Sequence, residues 1–200
     1  MTQQNNSIKN ILIVGTGGQG VITASEILCD VAMSGGFDTK KSEIHGMSQR
    51  GGVVTSHVRY GRQVFSPLIQ EGDADILLSF ELAETVRWIH FLKPEGRVIS
   101  NLQRIVPPAV SSGSGKYPED AEAIIKARSN SPVLLDALPM AEELGNPRLV
   151  NTLLLSATST LLDLPVDLWK EVVANRVPPK FKDLNMIAFD KGRALMDAQK

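Results

Sequence analysis

The sequence predicts a three-layer α/β/α domain with a mixed, Rossmann-like sheet and extra helices toward the C-terminus. Three observations predict it: strand and helix patterns alternate as far as Asp136, a glycine turn joins the first strand to the first helix, and beyond Ala137 the pattern is wholly helical. Residues 1–9 read as a polar N-terminal tail and 10–200 as one domain, because 200 residues with 42% hydrophobic content can bury enough apolar surface to offset chain ordering.

The elements follow in order. Asn10–Val14 (NILIV) is a short β-branched run, the pattern of a strand covered on both faces. After GTGGQG, the residues Val21, Ala24, Ile27, Leu28, Val31 and Ala32 recur at helical spacing and form one apolar stripe. Val53–Tyr60 predicts the second strand, with Val54, Val58 and Tyr60 on one face and Thr55, His57 and Arg59 on the other; Gly61-Arg62 then suggests a hairpin to Val64–Ile69. A strand at Ile76–Phe80 precedes a helix at Ala83–Leu92, and Pro94-Glu95-Gly96 breaks the chain before a strand at Arg97–Asn101. Val106–Gly115, with two prolines and several Ser and Gly, reads as a loop or edge segment. Glu119–Arg128 reads as a helix, Val133–Asp136 as the last strand, and Leu149–Leu162, Val166–Val177 and a segment from about Asp183 as closing helices.

Bulk properties exclude several classes. A net charge of −1 with interspersed signs gives no field that would gather nucleic acid or an anionic bilayer. The single cysteine, Cys29, excludes an internal disulfide and a cysteine-ligated iron–sulfur cluster held by this chain alone. The N-terminal apolar run falls far below the roughly 20 residues of a membrane span. A reducing cytoplasm is the expected location.

Gly15, Gly17 and Gly20 satisfy G-x-G-x-x-G between a buried strand and an amphipathic helix. Glycines there permit a sharp turn and close approach to the free N–H groups of a helix N-terminus. Tight turning and strand–helix packing would explain them equally well. A nicotinamide reading needs an acid about 20 residues on, closing the second strand; Asp38 lies in a polar stretch and Glu43 opens a glycine-containing loop. A phosphate-binding loop fails, since Val21 and Ile22 stand where Lys and Ser or Thr belong.

The second notable segment is Glu43–Gly52, EIHGMSQRGG. Arg50 could clamp a carboxylate or phosphate and His45 could exchange protons near neutrality; a solvated turn is the plainer reading. His57 and His90 have no second ligand nearby for a metal, Cys29 borders an apolar stripe, and Trp88 and Trp169 sit at packing positions. Asp73 in EGDAD only partly fits a thiamine-diphosphate magnesium motif, having Ala74 where a glycine is expected.

NILIVGTGGQGVITASEIL, EIHGMSQRGG, VVTSHVRYG, ADILLSFELAE and NRVPPKFKDLNMIAFDKG together resemble the beta subunits of indolepyruvate:ferredoxin oxidoreductases. These are a branch of the gamma subunit and gamma domain family of 2-oxoacid:ferredoxin oxidoreductases. The resemblance covers almost the whole chain, and HGMSQRGG is its more specific part. It implies oxidative decarboxylation of arylpyruvates to aryl-acetyl-CoA, with coenzyme A as co-substrate and ferredoxin as acceptor. Thiamine diphosphate, magnesium and iron–sulfur clusters would sit on a large alpha subunit, and no catalytic or metal-binding residue is expected here. Another 2-oxoacid oxidoreductase, or a stand-alone dinucleotide or flavin enzyme, is the alternative. The expected site residues are the turn Gly15, Gly17, Gly18, Gln19 and Gly20, near a cofactor or the partner, and Glu43, His45, Gly46, Ser48, Gln49 and Arg50, at the substrate or coenzyme A cavity or the subunit interface.

Overall fold

The computed structural model describes residues 7–46, 52–113 and 115–197. Six strands form one sheet in the order β2-β3-β1-β4-β5-β6, comprising β1 (Lys9–Thr16), β2 (Asp38–His45), β3 (Val53–Gly61), β4 (Ala74–Ser79), β5 (Leu92–Asn101) and β6 (Val133–Leu135). Only β3 runs against its neighbours, antiparallel to both β1 and β2; β1, β4, β5 and β6 pair in parallel. The helices are α1 (Val21–Ser34), α2 (Leu82–Trp88), α3 (Pro108–Ser111), α4 (Ala121–Arg128), α5 (Ala137–Glu143), α6 (Val150–Ser159), α7 (Val166–Arg176) and α8 (Lys182–Asp197).

Strand alternation divides the core into two. Ile11 and Ile13 of β1 join the larger cluster with α1 and α5 to α8, whereas Leu12 and Val14 join the smaller one with α2 and α4. All four are fully buried. Each such side chain contributes about 1.5 to 3 kcal/mol of transfer free energy, which is why NILIV sits at the centre of the sheet. Val54, Val58 and Tyr60 face the larger cluster, as their alternation predicts.

Four details differ from expectation. Asp38–His45 (DTKKSEIH) is a strand, where the sequence suggested a polar stretch leading into a loop. As the outermost strand it pairs only with β3, so it needs no apolar alternation, and its charges suit an edge. The hairpin to Val64–Ile69 does not form, because β1 and β2 already occupy both edges of β3. Residues 62–73 are instead tied down by side chains: Arg59 Nη1 donates to the carbonyls of Ser66 and Leu68, and Val64 N donates to Asp38 Oδ2. The strand β5 runs through Pro94-Glu95-Gly96, with a register shift opposite Ala74 and Ile76 absorbing the interruption. Finally, the Val106–Gly115 stretch contains the short helix α3. Among the described residues no helix is long and apolar enough to cross a membrane.

Candidate functional site

With β3 as the one reversed strand, the glycine turn and the segments after β2, β4, β5 and β6 all leave the same end of the sheet. The strand order diverges between β1 and β4, since α1 leads from β1 toward the β2 edge while α2 leads from β4 to β5 on the opposite face. That crevice is where an open α/β sheet usually binds its ligand.

Here a side chain of the turn bridges the crevice. Gln19 Oε1 accepts from Thr16 N at 2.8 Å and Thr16 Oγ1 at 3.1 Å, while Nε2 donates to the Phe80 carbonyl at 2.8 Å and Gln103 Oε1 at 3.0 Å. The amide thus bridges the ends of β1 and β4. Gly15 makes room for it: a Cβ at that position would lie 2.8 Å from Val21 Cγ2 and 2.9 Å from both Gln19 Oε1 and Phe80 Cβ. Gly20 caps α1 at φ 85°, and a Cβ there would stand 2.6 Å from Asn151 Nδ2, which donates to the Gly20 carbonyl at 2.8 Å. Gly18, at φ 99°, faces open space. The turn therefore packs on its own side chain and on α6.

The ribose-holding acid of a dinucleotide site is also misplaced. In such sites the second strand lies beside the first; here β3 intervenes between β1 and β2, moving the end of β2 one further strand spacing, about 4.8 Å, away. Glu43 on β2 pairs with Lys41 and lies 3.5 Å from Ser25 Oγ. The residues present do not fit a nicotinamide dinucleotide.

The two segments singled out in the sequence meet at one described contact, Gly17 N donating to the Gly52 carbonyl at 2.8 Å. Glu43 and His45 lie at the end of β2, and Gly46 N donates to the Val53 carbonyl at 2.9 Å. Ser48, Gln49 and Arg50 lie outside the described residues.

Beside the turn is a cavity of about 650 Å³, lined in part by Gly18, Gln19, Gln103, Arg148, Asn151 and Phe181. Gln103, Arg148 and Asn151 were not singled out from sequence. Asn146-Pro147 was an available sign, because an Asx side chain before a proline marks a helix start, and Asn146 Oδ1 does accept from Arg148 N at 3.0 Å.

A polar cluster adjoins the crevice at Glu81, which is 1% exposed. Its Oε2 accepts from Glu84 N at 2.8 Å and caps α2, while Oε1 accepts from Ile105 N at 3.1 Å and Tyr117 OH at 2.6 Å. Burial, reinforced by the hydrogen bond to Glu81, pushes the Tyr117 phenol well above its ordinary pKa. Glu84 is held above the usual carboxylate range by burial, against the opposing pull of Arg87.

Among the described residues no group of three or more His, Cys, Asp or Glu side chains could hold a metal ion, and Cys29 is buried. One cysteine cannot supply the ligand set of an iron–sulfur cluster. The two tryptophans pack: Trp169 is fully buried, and Trp88 lies against the smaller cluster.

A three-layer α/β domain with one reversed strand and a glutamine-bridged glycine turn is the class that this fold and site define. Residues 10–195 match the pyruvate ferredoxin/flavodoxin oxidoreductase family, and the chain belongs to that family, its place there being with the indolepyruvate oxidoreductase subunits IorB. It is 41% identical over 188 residues to subunit IorB of Pyrococcus horikoshii, a match spanning 92% of this chain and 93% of that one. The fold is similar to the gamma subunit of a keto/oxoacid ferredoxin oxidoreductase from Geobacter sulfurreducens, with TM-score 0.71, 23% identity and coverage of 95% and 99% of the two chains. It is also similar to the 2-oxoglutarate:ferredoxin oxidoreductase of Magnetococcus marinus, whose structure holds 2-oxoglutarate, coenzyme A and succinyl-CoA; there the TM-score is 0.70 at 21% identity, covering 97% of this chain and 32% of that one.

Proposed function

We propose that this chain works in the cytoplasm as the cofactor-free small subunit of an indolepyruvate-type 2-oxoacid:ferredoxin oxidoreductase, with residues 10–200 acting as one gamma-type domain. Its large partner carries thiamine diphosphate, magnesium and iron–sulfur clusters. The assembly converts an arylpyruvate and coenzyme A to an aryl-acetyl-CoA and carbon dioxide, and two electrons pass to ferredoxin. The similarity to IorB supports the substrate class. The observation that supports the division of labour is Gln19: its amide is spent bridging the ends of β1 and β4 at the crevice where this fold often seats a nucleotide.

When bound to the partner, thiamine supplies the carbanion chemistry. This chain then orients groups and excludes water. The turn Gly15–Gly20 and the segment Glu43–Arg50 face the large subunit and wall the substrate or coenzyme A cavity, with Arg50 offering a cation to a carboxylate or phosphate.

Anaerobic reconstitution tests this reading. The isolated chain should be colourless and inactive, and adding separately made large subunit should give indolepyruvate- and coenzyme A-dependent reduction of ferredoxin. Turnover by the small chain alone, or a stoichiometric nucleotide or flavin on it, would overturn the proposal. In the assembled enzyme, Arg50→Ala should raise the KM for coenzyme A or lower kcat by about tenfold, as expected for one charge-assisted contact; unchanged kinetics in a fully assembled complex would remove Arg50 from the site.

A further inference from the structure

The segment joining β5 to α4 is held in an unusual way. Among residues 102–107, 110–113 and 115–118 none is buried, and of these Leu102 alone is packed against a core cluster, so apolar packing fixes mainly its start. Its placement depends on polar contacts, and several of them converge on Glu81. Ile105 N and Tyr117 OH share Oε1 of that one carboxylate, while the neighbouring amide, Leu82 N, donates to the Gln103 carbonyl at 3.0 Å. Gln103 is thus clamped on both sides by groups that Glu81 holds or adjoins. Its own Oε1 accepts from Gln19 Nε2 at 3.0 Å and lies 3.5 Å from Asn101 Nδ2.

An unbroken polar chain results: Tyr117 to Glu81, Glu81 to Ile105, along the backbone to Gln103, then to Gln19 and Thr16. Gln19 and Gln103 both line the 650 Å³ cavity, and the Phe80 carbonyl that Gln19 Nε2 also reaches precedes Glu81 in the chain. In the arrangement seen, Gln19 has no hydrogen-bonding capacity to spare, because Oε1 serves Thr16 twice and Nε2 serves Phe80 and Gln103. A ligand in the cavity could engage the Gln19 amide only by displacing one of these partners, and Gln103 is the one among them whose bond comes from a side chain of the partly exposed 102–118 segment.

We propose that Glu81 is a positioning residue which, through the 105–103 backbone, holds Gln103 against Gln19 and so keeps the glycine turn in a closed hydrogen-bonding state. A cavity ligand that presents an acceptor to Gln19 Nε2 displaces Gln103 and opens it. The identity of that ligand as substrate or coenzyme A rests on the function proposed above; the relay is a property of the chain itself.

Amide hydrogen exchange on the full chain supplies the measurement, read at Thr16, at Ile105 and at Leu154 of the α6 core. Tyr117→Phe removes one donor from Glu81 and leaves the ring, so it should fold. It should speed exchange at Ile105 about tenfold and at Thr16 at least threefold, with Leu154 unchanged, as for a local opening. Gln103→Leu should speed Thr16 similarly, and Gln103→Glu, which keeps an acceptor for Gln19 Nε2, should restore it. Wild-type exchange at Thr16 in either Tyr117→Phe or Gln103→Leu would overturn the relay, and so would an equal acceleration at Leu154, which would mean general loosening. Because these readouts need no partner, a reconstituted complex without 2-oxoacid activity would sink the functional reading and leave the relay standing.

Discussion

His57 sits on β3 at 4% exposure, and its Nδ1 accepts the Ile69 amide hydrogen at 3.1 Å. That bond requires the nitrogen to be unprotonated, and burial lowers the imidazole pKa below its ordinary 6.5. As pH falls, the unfolded chain therefore takes up a proton before the folded one can. The stabilisation is fully present above about pH 6.5 and is lost as pH drops from there toward the depressed folded value, at up to about 1.4 kcal/mol per pH unit. Urea midpoints measured from pH 7.5 to 5.5 should decline, and His57→Gln should flatten that decline; an equal slope in the variant would refute the assignment. Cys29 behaves oppositely as an acid. Burial, its first cause, pushes the thiol up to about 11, so little thiolate exists at neutrality. Iodoacetamide should label it only after denaturation, and rapid labelling of the native chain would show the thiol to be accessible.

At the scale of elements, the tightest joint is between α6 and α8. Gly192 on α8 faces α6 so closely that a Cβ would lie 2.0 Å from Ser156 Oγ and 2.5 Å from the Leu153 carbonyl. Alanine would gain about 1 kcal/mol of helix propensity, yet the helices would have to separate, and overpacking of this kind costs about 1 to 3 kcal/mol or more. Gly192→Ala should therefore destabilise the chain by about 1 to 3 kcal/mol in chemical denaturation, against the sign that propensity alone suggests. Helices α1, α7 and α8 were legible because their apolar spacing records a single buried face. The strand β2 was not, because an edge strand draws its order from backbone pairing with β3, and backbone bonds leave no trace in DTKKSEIH. Likewise Val64–Ile69 carried a strand's composition without a vacant sheet edge to receive it. Local pattern reports what a segment would do if offered a partner; availability of the partner is decided elsewhere.

For the molecule as a whole, the α/β/α layering and the position of the glycine turn followed from the order of the elements. The meaning of that turn did not. Whether G-x-G-x-x-G holds a phosphate or a glutamine depends on Phe80 and Gln103, which lie 61 and 84 residues away in sequence. The cavity is a similar case: Gly18 comes from the start of the chain, Gln103 from its middle and Phe181 from near its end. The glycine turn announced its share locally, and the Asx–proline step at Asn146 offered a second local sign. If the sheet end bearing the turn is the face that meets the large subunit, association should slow amide exchange at Gly17, Gly20 and Gly46 while leaving the core of α4 on the far face unaffected. Equal protection at both places would indicate general stabilisation instead.

The placement of β1 has a consequence for how the chain reaches this state. It precedes the other described strands in the chain, yet its neighbours in the sheet are β3 and β4, pairing Ile11 with Val58 on one side and Ile76 on the other. During synthesis, NILIV therefore has no sheet partner until β3 has emerged and only one until β4 follows. An unmated apolar ribbon invites intermolecular pairing, so the yield of native chain should hinge on how fast residues 53–79 follow it out of the ribosome.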